Sequence, residues 1–472
     1  MCDLRAAFAT CLAALAACTS PIAARSSAIV TVHAPSGAVA GRSERALNVF
    51  KGVPYAEPPV NQARWRAPQP IAPWRGVRDA GAFGPACVQL PRPAASVYAY
   101  EVGPISEDCL TLNIWAPANA RNAPVFVWIH GGSLVSGSSN EPMYDGARLA
   151  ERGVVFVSIN YRLGVLGFLA HPGLSAESPL GVSGNYGLLD QIEALRWIQR
   201  NIAAFGGDPA NVTLAGESAG ALSVSYLLGA PQAQGLFAKA IIQSTNLLMV
   251  PHLREARFGV ESAESAGAQL GATLGAPSIT ALRAMDGATL SAAAARAGFS
   301  SRPTIDDVVL PRQLIETLER GEQARVPILV GLTSGEIRTF PALAPQPVES
   351  QAAYERAIRE RYGDLADEFL RLYPGIEMQE DIYAATRDGI HGWAAERLAR
   401  AQTALGAPAY LYFFDHSYPV ADAAGLRAFH AIELPYIFGA LDAFPANWPP
   451  VPNAPEETRL SEAMIGYWTS FA

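Results

Sequence analysis

Residues 211–224, NVTLAGESAGALSV, decide how the chain is read. A short apolar run leads into Gly216-Glu217-Ser218-Ala219-Gly220, and Ala219 opens a helical pattern, AGALSVSYLLGA. The G-x-S-x-G pattern alone is weak, because 41 glycines in 472 residues yield roughly 0.2 chance matches in a chain of this composition. A strand before it and a helix after it give it mechanical meaning. Ser218 then sits on a tight turn at which side chains on residues 216 and 220 would collide with the neighbouring strand and helix. The helix aims N–H groups and a positive dipole end at the same spot.

Working outward, the same alternation recurs. VFVWI (125–129) and VVFVSINY (154–161) read as buried strands, since they lack polar alternation and are rich in β-branched residues. NYGLLDQIEALRWIQRNIAAFG reads as an amphipathic helix with Leu188, Ile192, Leu195 and Ile198 near helical spacing. KAIIQS follows as a further strand, and sheet signals return at VPILVG (326–331) and AYLYFFD (409–415) after Ala-rich helices. Strand, helix, strand order indicates a parallel sheet covered on both faces, hence an α/β fold. No linker or repeat divides the chain, so residues 25–472 read as one domain with helical insertions.

Half the residues are hydrophobic, enough for a sizeable core, and the net charge is −8. That balance gives no electrostatic case for nucleic acid or an anionic membrane as partner. Residues 1–24 have the layout of a secretory signal: Arg5, an apolar run over 6–17 too short to span a bilayer, then small residues. Leu15-Ala16-Ala17-Cys18 resembles a bacterial lipobox with Cys18 as the lipidated residue, and cleavage near Ala24 is the competing reading. Either way the protein is expected to be exported: periplasmic, secreted or an outer-membrane lipoprotein of a bacterium, with membrane contact only through Cys18. Three cysteines lie in the leader, which leaves Cys87 and Cys109 as an even pair and suggests a disulfide worth roughly 3 kcal/mol.

WIHGGSLVSGS places His130-Gly131-Gly132-Ser133 directly after a buried strand. Backbone N–H groups there can turn toward a developing oxyanion, whereas a phosphate loop is excluded because no Gly-Lys-[Ser/Thr] follows. From residue 36 onward the chain resembles the type B carboxylesterase and cholinesterase family of α/β-hydrolases. The resemblance rests on FKGVPYAEPPV, SEDCLTLNIWAP, PVFVWIHGGSLVSGS, EPMYDGARLAERGVVFVSINYRLGVLGFL, the stretch from NYGLLDQ through GESAGA, and HAIELPYIFG. It implies a large central mixed, mostly parallel sheet flanked by helices, and a Ser, Glu, His triad in that chain order.

Carried over residue by residue, the resemblance makes Ser218 the nucleophile. Glu336 in GLTSGEIRTF becomes the acid, although Gly335 and Ile337 depart from the family's Asp and Gly; Asp306 and Asp307 are rivals. His430 in FHAIELPYIFG becomes the base. His33, His171, His252, His391 and His416 lack that context and suit packed or solvated roles. The oxyanion donors are placed at Gly132, Ser133 and Ala219, with Ser133 in place of a third glycine. His130 reads as structural support and Ser244 as a hydrogen-bonding support for the acid, while Thr245 departs from a common glycine. Glu217 is either a helix N-terminal acid or part of the chemistry. Cys87 and Cys109 match the family's N-terminal disulfide loop, which holds Tyr98 and Tyr100 but no tryptophan, so a choline-stacking site is not expected. Asn211-Val212-Thr213 is an incidental sequon. Relatives continue past MIGYWTSFA with a further strand and helix.

The expected activity is two-step hydrolysis of a small-molecule ester through an acyl-enzyme, with no cofactor and no metal. Because neutral imidazole is required, activity is expected to fall below about pH 6.5. Two alternatives stand beside it: a catalytically silent binding or adhesion protein, and amide or thioester cleavage on the same machinery.

Overall fold

A computed structural model describes residues 28–472, so the leader and Cys18 lie outside the described residues. Ten strands make the spine of one mixed sheet: β1 (Ala28–Ala34), β2 (Gly37–Glu44), β3 (Leu47–Pro54), β4 (Thr111–Pro117), β5 (Ala123–Ile129), β6 (Val155–Ile159), β7 (Gly207–Glu217), β8 (Lys239–Gln243), β9 (Ile328–Thr333) and β10 (Ala409–Phe414). Their order is β1-β2-β3-β4-β6-β5-β7-β8-β9-β10, and an eleventh short strand, Val77–Asp79, pairs with β2. Pairing is antiparallel from β1 to β6 and parallel from there to β10.

Local chemistry explains both halves. Arg45 and Ala46 have φ of 47° and 66°, and a two-residue turn of that hand matches strand twist, so β2 and β3 close as a hairpin. In the parallel half, β6 is buried at every residue because helices cover both faces, which is why its sequence shows no polar alternation. Helix α1 (Tyr186–Asn201) lies against the sheet through Leu188, Ile192, Leu195 and Ile198, all fully buried. Helix α2 (Ala219–Gly229) follows β7; α3 (Trp393–Ala404) precedes β10; α4 (Leu434–Phe438) and α5 (Pro455–Phe471) close the described chain. Helical insertions occupy the intervals between β8 and β9 and between β9 and β10.

Two links pin the periphery. Cys87 and Cys109 are joined by a disulfide with Cα atoms 5.0 Å apart. Arg162, on the segment leaving β6, donates to Asp190 of α1 from Nε at 2.8 Å and Nη2 at 2.7 Å, and its backbone N–H adds a third bond at 3.0 Å. Both side chains are almost wholly buried, so neither charge has water to fall back on. Asp190→Ala leaves the guanidinium buried and uncompensated, and we expect a loss of about 3–5 kcal/mol, read as a lowered urea midpoint relative to the parent chain.

Candidate active site

Ser218 occupies the junction between β7 and α2 with φ 55° and ψ −121°. Its N–H donates to the Gln243 carbonyl at 2.9 Å, and its own carbonyl accepts the first helical bond, from Leu222 at 2.8 Å. The hydroxyl caps nothing, which leaves it to the adjoining cavities. The two glycines of the motif are required by close approach: a Cβ at Gly216 would lie 2.5 Å from the Gly220 carbonyl carbon, and one at Gly220 only 2.0 Å from the Ile129 carbonyl oxygen.

The loop after β5 passes beside this turn. A Cβ on Gly131 would come within 2.9 Å of the Glu217 carbonyl oxygen. Gly132 and Ser133 have φ of 105° and 57°, and the Gly132 carbonyl accepts from Val135 and Ser136, so the chain doubles back on itself. The N–H groups of Gly132, Ser133 and Ala219 donate to no acceptor among the described residues. His130 stacks on Tyr161 with ring centroids 4.5 Å apart and sets Nδ1 2.8 Å from the Gly131 carbonyl. Burial holds its pKa down to about 4, so it is a neutral packing element beneath the loop.

Glu336 follows β9 and is completely buried. Its Oε1 accepts the Thr333 N–H at 2.9 Å, while Oε2 pairs with His430 Nδ1. The two loops are brought together by Gly335, whose N–H donates to the Ala428 carbonyl at 2.7 Å. A Cβ on Gly335 would sit 2.7 Å from that same oxygen, so the departure from Asp at this position has a steric cause. Ile337 packs with Ala344, Tyr354 and Ile382, which accounts for the second departure. Asp306 serves elsewhere: its Oδ1 accepts three successive backbone N–H groups, from Val308, Val309 and Leu310, and neighbouring Asp307 is exposed. Ser244, expected to bond the acid, lies beside Glu336 and helps hold its charge, but its Oγ makes no aligned hydrogen bond.

The other edge of the imidazole brings a difference. His430 Nε2 lies 2.9 Å from Glu217 Oε1, at an angle short of a hydrogen bond, and no hydrogen bond joins His430 to Ser218. A neutral ring with its proton on Nδ1 would present a lone pair to that carboxylate, so the contact belongs to the imidazolium. Burial lowers the His430 pKa, but the carboxylates of Glu217 and Glu336 outweigh it and hold the ring well above 6.5. For Glu336, burial works against ionisation, but His391 and His430 prevail and keep its pKa below the ordinary carboxylate range.

Three functional neighbours escaped the sequence reading. Gln243 Nε2 donates to Glu433 Oε1 at 3.1 Å, and Gln243 Oε1 accepts from the Trp468 indole at 3.0 Å. Glu433 lies three residues past His430, and burial, then Glu217 and Glu336, push its pKa up to about 8. The histidine spacing singled out only His430, yet His391 also lines a cavity beside Ser218. Of the remaining histidines, His171 caps the helix Pro172–Glu177 and His416 pairs with Glu457.

Two cavities meet at Ser218. The smaller, about 250 Å³, is bounded by Glu217, Tyr98, Tyr144, Phe340 and Trp448. Its tryptophan comes from outside the disulfide loop, and Tyr98 within that loop donates to the His430 carbonyl at 2.8 Å. The larger, about 580 Å³, is bounded by Ala219, Leu222, Met249, Ser244, Leu343 and His391.

The carboxylesterase family model matches residues 26–472. A fumonisin B1 esterase of Sphingopyxis macrogoltabida is 37% identical, over 97% of this chain and 84% of its own length. A para-nitrobenzyl esterase of Bacillus subtilis (strain 168) is also 37% identical, over 92% of this chain and 88% of its own. Among solved structures, a PNB esterase superposes with TM-score 0.78 at 35% identity, covering 93% of this chain and 90% of that one. The carboxylesterase EST55 of Geobacillus stearothermophilus gives 0.77 at 35%, with the same coverage. Both superpositions bear out the α/β-hydrolase fold.

The Gly220 contact generates a direct test. Gly220→Ala must shift α2 away from Ile129, and a displacement near 1 Å at a reacting group costs about 10²-fold. Labelling of the soluble variant by a fluorophosphonate probe is expected to slow by that order, with the far-UV circular dichroism of the parent retained.

Proposed function

Because the chain belongs to the carboxylesterase family and is a carboxylic ester hydrolase acting on small-molecule esters, we propose that Ser218, His430 and Glu336 carry the reaction through an acyl-enzyme. The observation that carries this assignment is the buried His430–Glu336 pair opening onto the same two cavities as the strained, uncapped Ser218. His430 Nε2 takes the Ser218 proton as Oγ bonds to the ester carbonyl carbon. The carbonyl oxygen, now an oxyanion, is received by the free N–H groups of Gly132, Ser133 and Ala219, each such donor being worth about 10²–10³ in rate. Collapse breaks the bond to the alcohol oxygen, which leaves with the proton from Nε2. A water molecule then repeats the sequence and releases the acid, while Glu336 holds Nδ1–H and steadies the imidazolium.

The position of Glu217 sorts the two cavities. It borders the smaller one and touches Nε2, the atom that protonates the leaving oxygen, so the alcohol half belongs there. The acyl half then occupies the larger cavity, next to the Ala219 N–H. Export of the chain, treated as one domain from residue 25, is supported by the leader pattern and by a disulfide of the kind that persists in oxidising compartments.

Two results are expected. Ser218→Ala lowers turnover of nitrophenyl esters by at least about 10⁴-fold, and a variant that keeps a tenth of the rate sinks the assignment. The second concerns pH. Proton loss from His430 restores the base, so activity rises as pH climbs through its raised pKa, and the acid limb lies above pH 6.5 rather than at it. Glu217→Gln removes one of the two carboxylates that raise this pKa, so its kcat/KM profile shifts to lower pH. A profile flat from pH 5 to 8 counts against His430 as the base.

A further inference from the structure

His391 is 7% exposed and lines the larger cavity, its ring centroid 5.9 Å from that of His430. It stands on a π-helical turn, Asp388–Gly392, inserted between an α-helix and α3. Such turns are rare and occur frequently at functional sites. This one is braced at Asp388, which accepts from Tyr373 at 2.7 Å.

The ring is oriented by its own chemistry. Nδ1 lies 2.9 Å from the Thr245 carbonyl, and a carbonyl can only accept, so the proton is on Nδ1. Once the imidazolium form, whose charge adds to the field on Glu336, has lost its proton, Nε2 of the neutral ring is a bare acceptor. No described residue donates to it, and His430 cannot, since its two nitrogens face Glu336 and Glu217. The cavity wall is largely hydrocarbon, from Leu222, Leu248, Met249 and Leu343, with Arg302, Asn246 and Ser301 among its polar members.

On the reading that the larger cavity takes the acyl half of the ester, we infer that His391 makes this cavity selective for acyl chains bearing a hydroxyl, which donates to Nε2. A purely hydrocarbon chain strips water from Nε2 and returns nothing, whereas a hydroxyl restores the bond that water supplied. A carboxylate, having only acceptors, gains nothing from it. The substrate class is therefore esters of hydroxy acids.

The test compares nitrophenyl 3-hydroxybutyrate with nitrophenyl butyrate at pH 8, each rate corrected for the ester's own alkaline hydrolysis. The parent enzyme is expected to favour the hydroxy ester by about 10-fold in kcat/KM, the worth of one hydrogen bond to a neutral group. In His391→Phe that ratio falls toward one, and in His391→Gln, which keeps an acceptor, part of it survives. A merely structural role for His391 lowers both rates and leaves the ratio intact, which overturns the inference; so does a parent enzyme active on both esters without preference. A parent enzyme inactive on both esters overturns the triad assignment and this inference together.

Discussion

Gln243 is the residue on which the site's geometry converges. Its backbone carbonyl holds the Ser218 N–H, its side-chain amide donates to Glu433 just past His430, and its side-chain carbonyl accepts from Trp468 of α5. One fully buried amide at the end of β8 thus fixes the Ser218 turn, the His430 loop and helix α5 in one frame. A buried amide with all these partners in place is rigid, because any displacement orphans several polar atoms at once. Helix α5 reinforces the same loop from outside, through Tyr436 donating to Glu457 at 2.6 Å and Ser461 donating to the Tyr436 carbonyl at 2.8 Å.

That frame also carries strain. Ser133, Leu134, Ser218, Ser244 and Ala431 all have positive φ, although none is glycine, and all five lie within or beside the site. Each such residue costs on the order of 1–3 kcal/mol and persists only where its surroundings over-determine it. The parallel half of the sheet supplies the surroundings. The loop bearing Gly132 and Ser133 leaves the C-terminal end of β5, Ser218 that of β7, Ser244 that of β8 and Glu336 that of β9. Four adjacent strands running the same way deliver their loops to one rim, which is where ligand sites in parallel sheets fall.

What could be read from the sequence divides along physical lines. Strands buried on both faces and the amphipathic α1 announce themselves by composition and period, and each was found within a few residues of its observed bounds. The hairpins before residue 54 gave no such signal, because β1 buries no residue and β2 and β3 bury only some of theirs, which leaves no continuous apolar run. Glu336 was legible only through resemblance, since Gly335 and Ile337 break the usual pattern for reasons of close approach and packing that exist only in the fold. His391 had no motif, and the π turn that aims it shifts the register on which a periodicity argument depends. Glu217 was legible as a charge but not as a partner of His430, because the direction of a side chain at a strained turn is set by its neighbours across the sheet.

In the proposed mechanism Glu217 acts in two opposed ways. Its carboxylate lies beside the loop that follows β5, close enough that a Cβ on Gly131 would come within 3.0 Å of Oε2, so on that mechanism it disfavours negative charge arriving on the ester oxygen. It also touches His430 Nε2, where positive charge develops as the Ser218 proton transfers. The contact with Nε2 is direct, at 2.9 Å, and a stronger base gains more from the proton it accepts. The cost is that a larger fraction of His430 is already protonated near neutral pH. Glu433, buried three residues past His430 and with its pKa pushed up to about 8, adds little negative charge near neutral pH.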